Sequence, residues 1–307
     1  MRNLRSRIML LGLALIGGVA RAAAPPSVGL VTVAEGEPRL IRAEAVLRLV
    51  PGMRLQAADL VHLPEAPAAL VRIEQADGSV LELGPGARLW SAPRLAGGAD
   101  WYVLSGWFKF ATRQARATLM TPLLAWRPAA AVTIARLEPQ GPALSLFVES
   151  GMPQWQPRQP ALRLPEVPVH AGDHLVLRPG ASGRPVARPR PPAEWLAALP
   201  AAFRDTLPPL AGRFAGEVPP GAVLGEPDYA LLAPWLQGEP LLRRAGVERW
   251  RALAARREFR AALRAHLAEH PEWAPVLDPP AAPRRASPGA AVDAPSSSGA
   301  HSPGVRP

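Results

Sequence analysis

Between residues 28 and 178, apolar residues fall in short alternating runs broken by Gly, Pro and Asp. Leu70, Val71 and Ile73 form one run and Val80, Leu81 and Leu83 the next, with Asp77-Gly78 between them. An Asp-Gly pair between two alternating runs predicts a β-hairpin, because both central residues of its tight turn accept positive φ. The runs either side of Gly36, and those in WYVLSGWFKFAT (101–112), AAVTIARL (130–137) and ALSLFVES (143–150), continue the pattern. Strands this short and this evenly spaced predict an all-β region over residues 27–178, built as a sandwich, barrel or solenoid.

The pattern then changes. Residues 179–192 are rich in Pro, Gly and Arg with no apolar period, and read as a linker. Over 193–278 the period becomes helical. Pro240, favoured in a first turn, opens a helix on which Leu242, Gly246, Trp250 and Leu253 fall near one face, followed by Phe259, Leu263 and Leu267. His270-Pro271 closes it, because a residue before Pro is pushed out of the helical region. Residues 228–232 predict a shorter helix of the same unit, and Trp195, Trp235, Trp250 and Trp273 are expected to form its core. The fold class is therefore mainly β with an appended small α module, each part burying its own apolar face across a linker that few contacts cross. Residues 279–307 hold almost no large apolar side chain and are expected to be a disordered tail.

Composition narrows the chemistry. With 39 Pro in 307 residues, long helices are excluded, and with no Cys so are disulfides, Cys-ligated metals and cysteine nucleophiles. Lys109 is the one lysine, so the net charge of +10 is an arginine charge. No basic run is interleaved with aromatics, which argues against a nucleic-acid partner. Arg2, Arg5 and Arg7, the uncharged run 8–20 and the small residues Ala20 and Ala22 lay out a signal peptide over residues 1–22, cleaved after Ala22 or Ala23. The apolar run is too short to span a membrane. The expectation is a periplasmic protein with no stable membrane span after cleavage.

The β region resembles the FecR domain, found in periplasmic parts of bacterial regulators and in exported proteins. The matching residues run in order: Gly29-Leu30-Val31, Gly36, Pro51-Gly52-Met53-Arg54-Leu55, Asp59-Leu60-Val61, Asp77-Gly78-Ser79, Leu83-Gly84-Pro85, Leu104-Ser105-Gly106, Thr121-Pro122, Val148-Glu149-Ser150-Gly151 and Ala171-Gly172-Asp173. Ala58 stands where the family commonly has its second Gly. The resemblance implies an all-β fold, with these residues serving as turns and strand starts. Regulatory members are similar to an anti-sigma segment and a membrane span placed before this domain. Here a signal peptide precedes it, so the regulatory role is not carried over.

Two candidate sites follow from residue type. His266-Leu267-Ala268-Glu269-His270 matches the inverted zinc-protease pattern, and on a helix His266 and His270 would share a face. A third ligand is missing, and the helix ends at His270. A pair of solvent-facing His near a helix C-terminus is the expected arrangement, with no metal and no cofactor. Trp107 and Lys109 share one face of their strand, opposite Phe108 and Phe110. Exposed, Trp107 and Lys109 would contact a sugar or a protein partner; alternatively Trp107 packs beneath a strand or the helical module. No Gly-x-Ser-x-Gly elbow, P-loop or dinucleotide fingerprint occurs. These observations point to a non-enzymatic, exported, FecR-like binding or scaffolding component of the envelope, its partner an unknown envelope protein or polysaccharide. The competing reading is a metal-dependent envelope hydrolase using the helical module.

Overall fold

The computed structural model describes residues 27–278, apart from 92–98, 114–116, 128, 140, 142, 166, 182–183, 215 and 217–218. The expected signal peptide and C-terminal tail lie outside the described residues. The chain runs through β1 (Ser27–Glu35), β2 (Arg39–Arg42), β3 (Ala45–Arg48), β4 (Arg54–Gln56), β5 (Leu60–His62), β6 (Leu70–Glu74), β7 (Val80–Leu83) and β8 (Arg88–Ser91). It continues through β9 (Trp101–Thr112), β10 (Leu119–Met120), β11 (Leu124–Arg127), β12 (Ala131–Leu137), β13 (Leu144–Gly151), β14 (Gln154–Pro157) and β15 (His174–Leu177). After α1 (Ala193–Ala198) come β16 (Val223–Gly225), α2 (Tyr229–Leu236), α3 (Pro240–Trp250), α4 (Arg257–Ala265) and α5 (Ala274–Leu277). The fold is mainly antiparallel β with a small C-terminal helical region, as the pattern predicts.

The sixteen strands form one sheet that curls over at β9, the longest strand. The first half of β9 pairs β8 and, in parallel, β10; its second half pairs β7 and β12. One half of the sheet thus runs β16-β3-β2-β5-β8-β9-β10-β11-β14, and the other runs β4-β1-β6-β7-β9-β12-β13-β15. The switch is Gly106, at φ +87°. Before it, Trp101 and Val103 face the central core; after it, Phe108 and Phe110 do. A glycine at positive φ thus reverses which parity of residue faces inward. The β7–β8 turn crosses between the halves at the same corner. The Gly84 N–H donates to the Trp107 carbonyl at 2.9 Å, and the Ser105 hydroxyl donates to the Gly86 carbonyl at 3.0 Å.

Both outer faces of the sheet are also apolar. Ile41, Val46, Leu60, Trp90, Tyr102 and Met120 form one cluster with Trp235, Trp250, Trp273 and the other apolar residues of α2–α5. On the opposite outer face, Trp107, Leu70 and Ile134 pack with Trp195 and Phe203. This corrects three expectations. The helical region does not bury its apolar face alone but shares it with the β5–β8–β9 face. Trp195 belongs to the other side of the molecule, against Trp107 and His174. The segment after β15 is partly paired, since His174 and Arg188 exchange backbone hydrogen bonds of 2.7 and 2.8 Å.

Two local readings also change. The helix expected from Pro240 to His270 is broken: α3 gives way to a 3-10 turn over Arg251–Ala255 and an extended Arg256 before α4. The apolar spacing explains the break, because the six residues from Leu253 to Phe259 do not fit a 3.6 period and both must reach the core. The β6–β7 turn is wider than the two-residue form. The Gly78 N–H donates to the Gln75 carbonyl, and Gly78 but not Asp77 has positive φ.

Ala58, by contrast, does have positive φ, at 70°. Its Cβ is strained there. Ala58→Gly is expected to raise stability by about 0.5–1 kcal/mol, read as a higher denaturant midpoint; an unchanged or lower midpoint would speak against this backbone.

Candidate functional site

The face around Trp107 and Lys109 is covered, not open. Trp107 is 5% and Lys109 3% exposed. Trp107 packs against Trp195, with ring centroids 5.3 Å apart. Neither side chain is a free contact surface, which corrects the first of the two readings of this pair. The cover is the stretch from α1 to β16. Pro192 and Pro200 hold the chain extended at its start, and Pro208-Pro209 and Pro219-Pro220 recur further along it. Beyond α1 and two short 3-10 turns, Ala201–Phe203 and Ala211–Phe214, the segment has little internal pairing, so its remaining carbonyl and N–H groups need partners from elsewhere.

The sheet supplies them as a row of charges. Arg72 on β6, Glu82 on β7 and Lys109 on β9 are direct cross-strand neighbours. Arg72 bonds Glu82 at 3.0 Å and Glu74 at 3.1 Å, and Lys109 bonds Glu149 of β13 at 2.7 Å. Apart from the Thr32 hydroxyl, which donates to Glu74 at 3.1 Å, the remaining hydrogen bonds of these charges go to the belt's backbone. Lys109 donates to the Phe203 carbonyl at 3.1 Å, and Arg72 to the Leu207 and Pro208 carbonyls at 3.0 and 3.3 Å. Glu74 accepts from the Leu210 and Ala211 N–H groups at 2.9 and 3.0 Å. The belt therefore crosses β9, β7 and β6 along a charged track and ends where β16 pairs β3 on the other half of the sheet.

Burial pushes both carboxyls of the track up. For Glu74 the Leu210 and Ala211 N–H groups, Thr32 and Arg72 outweigh it and leave the group below its usual value. For Glu82 burial outweighs Arg72 and Lys109, and the group ends above it. Sequence reasoning placed Lys109 on the correct face. It missed Arg72, Glu74 and Glu82 as a set, although three charged residues inside two apolar runs were the signal.

The second candidate does not assemble either. His270 is fully buried, not solvent-facing, and lies beyond the end of α4. Its Nε2 is 3.0 Å from the Tyr229 hydroxyl, which itself accepts from the Gln237 amide at 3.2 Å. His266 is exposed, stacks on the Tyr229 ring at 5.2 Å and contacts Glu269. The two histidines flank one tyrosine and do not converge on a common point. Among the described residues no group of three His, Asp or Glu side chains is arranged to hold a metal ion. Helices α2 and α3 are fastened to the sheet by a further polar set: Tyr102 donates to Glu239 at 2.6 Å, and Arg158 donates to Glu239 at 2.8 Å.

Three histidines have lowered pKa values. Burial, then Arg88 and Arg39, lowers His62 to about 4. Burial also lowers His174 and His270. In each case the unfolded chain binds the proton more tightly, so this stability is complete above pH 6.5 and is lost as pH falls toward the folded value. Denaturant midpoints are expected to fall steadily from pH 6.5 to 4.5, with His62 alone accounting for up to about 3 kcal/mol by pH 4. A flat profile over that range would contradict the burial of these rings.

Fold and site together define a curled antiparallel sheet with a Pro-rich belt on one outer face and helices on the other. No family model matches the chain, and no curated protein matches it. Two crystal structures of a putative anti-sigma factor from Parabacteroides distasonis, at 2.50 and 1.65 Å resolution, are similar to it with a TM-score of 0.34 each. Identity is 9% and 10%, over 43% of this chain and 59% of theirs, so the match spans less than two thirds of those proteins. Among the described residues no helix is long and apolar enough to cross a membrane.

Proposed function

We propose that the protein is an exported, periplasmic, FecR-like component of the cell envelope that binds or scaffolds other envelope molecules without catalysing a reaction. The observation carrying this reading is what the buried charges do: Arg72, Glu74 and Lys109 bond the backbone of the Pro-rich belt, and the cavity that Arg72, Glu82 and Lys109 line with Thr206 and Leu207 is only about 40 Å³, too small for a substrate. A face built this way recognises polypeptide, not a reacting bond. Support for the FecR likeness comes from the turns. Gly36, Gly52, Gly78, Gly106, Gly151 and Gly172 all take positive φ, and Ala58 does so where the family commonly has Gly.

Two measurements test the reading. The envelope-associated protein should begin at Ala23 or within two residues of it by mass spectrometry, and crosslinking in intact cells should capture a defined envelope partner. Met1 retained on a cytoplasmic chain would overturn export. Stoichiometric zinc in the purified protein, lost on changing His266 and His270, would overturn the non-enzymatic reading in favour of the hydrolase.

A further inference from the structure

We propose that residues 266–278 form an acid-released cover on the helical region, with the buried His270 as its latch. The inference goes beyond the binding role and does not depend on it. His270 is fully buried, between the end of α4 and the 3-10 turn Pro271–Trp273. The Gln237 amide donates to the Tyr229 hydroxyl at 3.2 Å, so the hydroxyl sends its own proton to His270 Nε2, 3.0 Å away. Nε2 is then an acceptor, and the neutral ring carries its proton on Nδ1. That nitrogen is buried and finds no hydrogen-bond partner outside its own residue.

A second proton has no place in this arrangement. On Nε2 it would face the Tyr229 hydroxyl, which would have to accept from both His270 and Gln237 and turn its own hydrogen away from both. Nδ1–H would stay unpaired on a ring that now carries a full charge. A charge buried without a paired acceptor is costly, so the ring either stays neutral or opens to water.

The charged groups around His270 and the cover are held by one another. On α3, Arg243 bonds Glu272 at 2.9 Å, and just beyond α4 His266 lies 3.3 Å from Glu269. Arg260 and Arg264 of α4 bond the Leu277 carbonyl, and Arg264 also bonds Asp278 at 2.7 Å. From α2, the Tyr229 ring meets His270 edge to face at 5.8 Å. Burial is the largest influence on the His270 ring and lowers its pKa from 6.5; its own backbone, Glu269 and Glu272 oppose burial, and His266 adds to it. The closed cover is therefore complete above the ordinary histidine value and is lost as pH falls through the folded one.

The rest of the helical region is fastened separately. Trp90 and Tyr102 of the sheet stack on Trp235 of α2, and Trp90 also on Trp250 of α3. Tyr102 and Arg158 hold Glu239 at the start of α3. Trp273 of the cover has its aromatic contact with Phe259 of α4 instead, at 6.5 Å. Release of the latch would thus unbury Trp273, Leu277 and the Phe259 ring while α2 and α3 stay on the sheet, giving the protein an apolar face in acid that it lacks at neutral pH.

Native-state hydrogen exchange of the full chain reads the opening. The Trp273 N–H donates to the His270 carbonyl at 3.1 Å, and the Asp278 N–H to the Ala274 carbonyl at 2.9 Å. Between pH 7 and pH 5 the protection of these two amides, corrected for the intrinsic rate, is expected to fall about tenfold or more, staying below that of the β6 and β7 ladder amides throughout. The fall should follow the NMR titration of the His270 ring. His270→Gln, which takes up no proton, should abolish it. Tyr229→Phe, which removes the donor that favours a neutral Nε2, should move it to higher pH. If His270→Gln does not fold, the wild-type titration and the Tyr229→Phe shift decide. The latch is overturned if protection at pH 5 equals that at pH 7, if the fall follows His62 or His174 instead, if it persists in folded His270→Gln, or if the two amides exchange as slowly as the ladder and so open only with the whole fold.

Discussion

Arg72→Met is expected to destabilise the protein by about 3–5 kcal/mol and to lower its melting temperature by roughly 10 °C. The side chain is buried on β6 and bonds Glu74, Glu82 and two belt carbonyls. Removing it deprives Glu82 of its direct ion-pair partner inside the sheet face. Glu82, whose pKa burial already raises, would lose the charge that most opposes that rise and be pushed further up. The double variant Arg72→Met/Glu82→Gln should recover part of the loss, because it removes the stranded charge. A change below about 1 kcal/mol in the single variant would mean that the track does not hold the belt.

A second large effect is expected at the corner of the sheet. Gly106→Ala should yield little or no folded protein, a loss of more than about 4 kcal/mol. At φ +87° any side chain is strained, and the new Cβ would overlap the backbone of Gly86 and Ala87. Neither can shift without opening the β7–β8 crossing. Folded Gly106→Ala with an unchanged melting temperature would show that β9 does not turn there.

The β region was legible because its strands alternate and its turns use Gly at positive φ, as at Gly78 and Gly172. Parity alone sets Phe108 and Phe110 on the strand face opposite Trp107 and Lys109, and that face is the central core. The belt was not legible. Its prolines have the composition of a linker, and composition says nothing about which partner accepts a free carbonyl. The charges that hold it, Arg72, Glu74 and Glu82, lie in strands whose apolar residues dominate the pattern. The helical region was read as self-contained because its period is visible in sequence, whereas the Trp90 and Tyr102 face it covers is far away in the chain. His270 was misplaced for a similar reason: Pro271 marks a helix end, but burial against Tyr229 depends on α2.

The belt is an integral part of the β fold, held by the charged track. Native-state hydrogen exchange of the Leu210 and Ala211 amides tests it most directly, since both N–H groups donate to the buried Glu74 carboxylate. Protection close to that of the β6 and β7 ladder amides is expected, lost together with the belt's other contacts in Arg72→Met. Exchange of Leu210 and Ala211 at close to the unprotected rate, with β6 and β7 still protected, would contradict it.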